Sequence, residues 1–127
     1  MATRSFIGKQ LPNGHITGIY CHWDGYPTGV GTTLENHYTT QERVDTLLAL
    51  GSLSQLGARL APELGEVHTF KNPCQGVTVA YHRDRGEEKA HPLEYESLSD
   101  MERNVGNDLS AVYAYVWMVD CWETISL

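Results

Sequence analysis

The sequence predicts an α+β domain: an antiparallel sheet of four to six strands with two or three helices packed on one face. Three observations lead there. Segments rich in β-branched and aromatic residues lie near both ends of the chain. Helical patterning is confined to the middle. Strands and helices do not alternate in the way that builds a doubly wound parallel sheet. The 127 residues form a single domain, 1–127. A chain of that length buries enough surface to fold without a metal or a disulfide.

Each element follows in order. Residues 3–9 read as a strand, and Pro12-Asn13-Gly14 as the turn of a hairpin, because Asn and Gly tolerate positive φ. Residues 15–23 return as the second strand. Asp24-Gly25-Tyr26-Pro27-Thr28-Gly29 is a tight loop, after which Thr28 would cap a short helix ending near Tyr38. Gly29 and Gly31 weaken that helix start, and would instead let the backbone approach a ligand closely. Thr39 and Glu42 have capping-box spacing. The helix they open carries Val44, Leu47 and Leu48 on one face, and Gly51 ends it. Residues 52–60 read as another short helix or turn, and Pro62 and Gly65 punctuate a loop. Residues 77–81 are a strand, with His82-Arg83-Asp84-Arg85-Gly86 as its charged exit. Residues 87–97 read as polar loop, since Pro92 bars a helix. Ser99 to Glu102 starts a helix of one or two turns. Residues 112–119 and 122–125 form a closing hairpin.

The formal net charge of −7 argues against a nucleic acid polymer as partner, because such binding neutralises many phosphates. A small phosphorylated ligand held by a few arginines is compatible with it. Three cysteines, Cys21, Cys74 and Cys121, give an odd count with no CxxC pair, the pattern of free thiols in a reducing compartment. No apolar run approaches the ~18 residues of a membrane span, so neither a membrane nor a signal peptide is expected. Paired zinc-ligand spacings, GxSxG, HExxH and Walker A motifs do not occur, and no metal or other cofactor is expected.

Two segments carry candidate chemistry. In the first, Tyr20, His22, Trp23, Asp24 and Tyr26 end a strand and line its loop. Trp and Tyr offer flat faces for a nucleobase. Asp24 suits a ribose hydroxyl or exocyclic amine, and amides at Gly29-Val30-Gly31 suit a phosphate. A structural turn with aromatics packed into the core is the other reading. In the second, His82, Arg83 and Arg85 leave a strand. The two arginines would share a face and grip phosphate bidentately, unless they are solvated and paired with Asp84. His22 with Asp24, or His82 with Asp84, has the spacing of an acid–base dyad.

The run Gly18-Ile19-Tyr20-Cys21-His22-Trp23-Asp24-Gly25-Tyr26-Pro27, followed by Gly29-Val30-Gly31, resembles a motif of small proteins encoded by bacteriophages and prophages. The likeness extends to Arg4-Ser5-Phe6-Ile7-Gly8-Lys9, Leu50-Gly51-Ser52-Leu53-Ser54-Gln55-Leu56-Gly57, Tyr81-His82-Arg83-Asp84-Arg85-Gly86-Glu87 and Tyr113-Ala114-Tyr115-Val116-Trp117. It departs at Val119-Asp120-Cys121, where that pattern has a glycine-containing turn. The family is similar to phage anti-defence sponges, which sequester cyclic ADP-ribose isomers (Thoeris inhibitors) or cyclic di- and oligonucleotides (CBASS inhibitors). The resemblance implies a non-enzymatic homo-oligomer in the cytoplasm of the infected bacterial host, with a small signalling nucleotide as partner. An acidic inhibitor that binds a host defence complex, of the anti-CRISPR or anti-restriction type, is the alternative, and a nucleotide hydrolase the third reading.

Overall fold

Why the central strands can be buried on both sides is visible in their composition. Ser-Phe-Ile-Gly and Ala-Tyr-Val-Trp are unbroken runs without a charged residue, the signature of a strand covered on two faces rather than one. In the computed structural model, which describes residues 2–127, these runs sit at the middle of a seven-stranded sheet. The elements in order are β1 (Ser5–Gln10), β2 (Ile16–Cys21), α1 (Thr32–His37), α2 (Gln41–Ala49), β3 (Leu53–Gln55), β4 (Val79–Ala80), α3 (Tyr81–Arg85), β5 (Leu93–Tyr95), α4 (Leu98–Leu109), β6 (Tyr113–Trp117) and β7 (Trp122–Ser126). A π-helical turn over Pro27–Gly31 leads into α1.

The sheet runs β4-β3-β2-β1-β6-β7, with β5 pairing β2 beside β3. Both hairpins, β1–β2 and β6–β7, are antiparallel as expected. The expectation of a purely antiparallel sheet is corrected, however: β1 pairs β6 in parallel, and β2 pairs β3 in parallel. Composition marks which residues a strand buries, but it does not fix which way a distant neighbour runs.

Helices cover both faces of the sheet, not one. Successive strand residues point to opposite sides. Phe6, Ala114 and Val116 accordingly join Ile16, Tyr95, Met101 and Val105, the last two from α4. Ile7, Tyr115 and Trp117 join Ile19, Cys21, Leu34, Val44 and Leu47 from α1 and α2. The Tyr115 hydroxyl reaches across to the Gly25 carbonyl at 2.6 Å, fixing the loop after β2 to the centre of the sheet.

Several local readings change. The cap of α2 is Thr40, whose hydroxyl accepts the Arg43 N–H, so Thr39 and Glu42 form no capping box. Gly51 is left-handed at φ 78°, as anticipated. Pro27, not Thr28, opens the segment toward α1. Residues 52–60 contain β3, and the polar stretch before α4 contains β5, which borrows its backbone partners from β2. Tyr81 is the first residue of a short helix, not the last of a strand. The helix read as one or two turns is the 12-residue α4, capped by Ser97. Its apolar residues Leu98, Met101, Val105 and Leu109 recur along one face.

Gly8 and Gly18 face each other across β1 and β2, and the Phe6 ring lies over them. A Cβ on Gly18 would stand 2.4 Å from the Ile7 carbonyl oxygen and 2.6 Å from the Phe6 ring. Gly18→Ala is therefore expected to destabilise the fold by about 1–3 kcal/mol, measured as a lowered urea midpoint with an unchanged unfolding slope.

Candidate functional site

The loop after β2 is built by backbone bonds. His22 and Trp23 donate their N–H groups to the Leu53 and Ser54 carbonyls, both at 3.0 Å, which prolongs the pairing with β3. Asp24 then adopts a left-handed conformation, φ 56°, and turns the chain. Gly25 donates to Thr3 at 2.8 Å, where a Cβ would sit 2.6 Å from that same carbonyl oxygen. Gly29 N–H donates to the Tyr26 carbonyl and Val30 N–H to the Asp24 carbonyl, each at 2.9 Å. These glycines serve close packing of the chain on itself, so the expected phosphate cradle at Gly29-Val30-Gly31 is not formed.

Trp23 is nevertheless outside the core, 42% exposed, and Tyr26 is 39% exposed. Trp23 rests edge-on against His22, with ring centroids 4.8 Å apart and planes at 88°. The Tyr26 hydroxyl donates to Asp24 Oδ1 at 3.0 Å, and that carboxylate pushes the Tyr26 phenol above its ordinary pKa. Tyr20 sits on the same strand face as His22. Arg4 Nε lies 3.1 Å from the Tyr20 oxygen, and that hydroxyl lies against His22 Nδ1. Arg4 donates to the Tyr20 oxygen, and the direction of the Tyr20–His22 bond follows the imidazole tautomer.

Sequence reasoning missed Arg4. The signal was present: the turn at Asn13-Gly14 sets the β1–β2 register, Ser5 opposite Cys21, and so puts Arg4 opposite His22. It also missed Phe70, Lys71 and Tyr81, whose contribution depends on where a long irregular segment returns.

The two arginines part company. They lie in α3 rather than on a strand exit, so two residues of separation turns their side chains about 200° apart. Arg83 is spent on the chain itself. Its guanidinium donates to the Leu60 and Thr78 carbonyls, each at 2.6 Å, and to Asp84 Oδ1 at 2.9 Å. Asp84, 6% exposed, also accepts the Ala80 N–H at 2.8 Å. His68 Nδ1 accepts the Cys74 N–H at 2.9 Å, and its Nε2 lies 3.2 Å from Asp84 Oδ2, off the line of a good hydrogen bond. Burial pushes the Asp84 carboxyl up, but Arg83, the Ala80 N–H and His68 together bring it below its ordinary value. His82 and Asp84 therefore form no dyad; His82 is exposed, with Nδ1 2.7 Å from the Glu87 carbonyl.

Arg85 remains on the surface, 54% exposed, ion-paired to Glu87 at 2.6 Å. Its guanidinium carbon lies 4.8 Å from the centre of the Phe70 ring and 5.6 Å from that of Tyr81. Phe70, Lys71, Asn72 and Arg85 line an open cavity of about 740 Å³. Ser52 links the two halves of the region. It lines one small cavity with Tyr81 and His82 and another with Tyr20 and His91. Tyr20 and Tyr81 thus meet at Ser52, with Arg4 beside Tyr20 and Arg85 over Phe70 and Tyr81.

The Cys21 thiol is buried and pushed up to about 12, chiefly by desolvation, which makes it unreactive. Among the described residues, no group of three His, Cys, Asp or Glu is placed to hold a metal ion. Among them also, no helix is long and apolar enough to cross a membrane. Comparison with family models, with curated proteins and with solved structures gives no match.

Arg83→Ala is expected to cost about 2–4 kcal/mol, because it strands two carbonyls and a largely buried carboxylate; thermal unfolding measures it. The Asp84 contribution is complete above the ordinary carboxylate pKa near ~4 and is lost as pH falls through the lower folded-state value. The stability gap between wild type and Asp84→Asn should therefore shrink as pH is lowered through that window, followed by denaturant midpoints at each pH.

Proposed function

We propose that this chain binds and sequesters a small signalling nucleotide, a cyclic ADP-ribose isomer or a cyclic di- or oligonucleotide, without turning it over. The observation that carries the reading is the exposed Trp23, braced edge-on by His22, with Tyr26 exposed three residues further on. Large aromatics held at the surface expose apolar area that a stacked base would cover, worth roughly 1–3 kcal/mol per base. Tyr26 is a second platform, and Asp24 an acceptor for a ribose hydroxyl or exocyclic amine. The His22 ring and the Tyr20 hydroxyl supply polar contacts to the base or sugar edge. Arg85 and Lys71 take the phosphate role, with His82 nearby, while Arg83 supports the wall behind them. The motif resemblance to phage anti-defence sponges gives the same ligand class and the setting, the cytoplasm of an infected bacterium.

Sequestration needs affinity and copy number, not catalysis, and the His22/Asp24 spacing is used here for recognition. Calorimetric titration with cyclic ADP-ribose isomers and cyclic dinucleotides tests the reading. Trp23→Ala is expected to leave the melting temperature nearly unchanged and to weaken binding about five- to a hundred-fold. Arg85→Ala is expected to weaken it about ten- to a hundred-fold, the worth of a charge-assisted bond to phosphate. Small molecules released by heating the loaded protein should have the mass of the compound added. Altered products would make it a hydrolase. No binding by any of these nucleotides would favour the acidic inhibitor of a host defence complex.

A further inference from the structure

Cationic side chains are scarce in this chain: nine Lys and Arg face sixteen Asp and Glu. Among the described residues, Arg59, Arg83 and Arg85 each pair with a carboxylate. Arg43 donates to the His37 and Ala58 carbonyls. Arg4 differs from all four. It is half-buried, yet among the described residues no carboxylate and no carbonyl takes its guanidinium. Its one hydrogen bond there runs from Nε to the Tyr20 oxygen, at 3.1 Å.

This side chain is held in place. The Thr3 carbonyl takes the Gly25 N–H at 2.8 Å and the Arg4 carbonyl takes the Val112 N–H at 2.9 Å, so the backbone is fixed on both sides. Tyr20 then fixes the Nε edge of the guanidinium. What remains is the end edge, two terminal nitrogens whose N–H groups match two oxygens of an oxyanion. Neither nitrogen is sealed from solvent. A further donor is beside it in either tautomer of His22. If the Tyr20 hydroxyl donates to Nδ1, the ring carries its hydrogen on Nε2 and can donate from there. If Nδ1–H donates to the Tyr20 oxygen, the hydroxyl proton itself is left to donate. His15 and His68 each face a carboxylate, and His22 faces none among the described residues.

We propose that Arg4, Tyr20 and His22 form an anion site for a phosphate group. Arg4 holds two of its oxygens, and the Tyr20–His22 pair donates to a third. That donor set favours phosphate over a carboxylate, whose two oxygens the guanidinium alone would occupy. Tyr20 has already restricted the guanidinium, so less freedom is lost when the anion arrives. Trp23 follows His22 in the chain, exposed, with the two ring centroids 4.8 Å apart. A planar group attached to the phosphate therefore has an aromatic face at hand. The site uses none of the side chains of the Arg85 and Lys71 cavity and needs no nucleotide, since phosphate alone satisfies its donors. In the nucleotide reading it adds a phosphate contact on the Trp23 side.

Inorganic phosphate titrated into the full chain tests this, followed by the NMR resonances of the Arg4 Nε–H and the His22 ring, with sodium chloride at matched ionic strength as control. Phosphate is expected to shift both sets saturably, and chloride is not. Affinity read at the His22 ring is expected to fall about ten- to a hundred-fold in Arg4→Gln, which loses both charge and fork. Arg4→Lys keeps the charge without the fork and should fall by a smaller factor. Tyr20→Phe keeps the cation and removes its brace, and is expected to weaken phosphate about two- to ten-fold. A phosphate response no larger than that to chloride overturns the proposal. So does unchanged affinity in folded Arg4→Gln or, should that variant fail to fold, in both Arg4→Lys and Tyr20→Phe. Phosphate binding at Arg4 with no affinity for any nucleotide supports this site and removes only the nucleotide reading.

Discussion

Everything in this fold leans on the parallel pairing of β1 with β6. Each is buried on both faces, and between them they carry side chains into both clusters of the core. Phe6 and Ala114 serve one cluster, Ile7 and Tyr115 the other. A strand in that position tolerates no charge and little change in volume, because each face is close-packed. It also binds the ends of the chain together, since β1 is the first strand and β6 the last but one. The Tyr115 hydroxyl extends this constraint to the candidate site through the Gly25 carbonyl. The loop that presents Trp23 and Tyr26 is therefore anchored to the rigid centre of the molecule rather than hung from its rim.

A second constraint operates at the β4 end. Between β3 and β4 the chain makes a long irregular excursion, tied down by a few polar bonds in place of a large apolar contact. Arg59 holds Glu66 in a bidentate pair, at 2.6 and 3.2 Å, and this guanidinium holds the Glu66 carboxyl down at about 2. Arg83 and Asp84 pin the returning backbone, and His68 is wedged behind them. In most chains two neighbouring arginines invite a shared role. Here one is committed to three internal acceptors and the other lies across Phe70 and Tyr81, because a helical turn rotates them apart. The division is useful to a binding site: a fixed wall carries an exposed cation.

Much of the candidate site was legible in order along the chain. The placing of Trp23 at a strand end beside Asp24 and Gly25 marked it as a residue outside the core, and its exposure agrees. The clustering of Tyr20, His22, Asp24 and Tyr26 followed from the same short segment. Arg4 was within reach of the same reasoning, since a two-strand hairpin with a known turn fixes its register. Glycines 29 and 31 were read as ligand contacts for a physical reason: a glycine that admits a ligand and one that admits a neighbouring carbonyl or ring look the same in sequence. The pairing of Arg83 with Asp84 was one of the two readings the sequence offered, but its bond to the Leu60 carbonyl and the place of Phe70 beside Tyr81 were beyond it, because those partners lie across the excursion between β3 and β4.

The sequence alone determined the α+β class, the two antiparallel hairpins, the buried face of α2 and the left-handed Gly51. All of these rest on local periodicity and turn chemistry, which act within a few residues. Tertiary structure decided the parallel joins of β1 to β6 and β2 to β3, the helices on both faces, and the length of α4. It also decided which arginine lies on the surface and which is committed to the chain's own backbone. Those outcomes depend on contacts between distant segments, and a hydrophobic pattern specifies what must be buried without specifying what buries it.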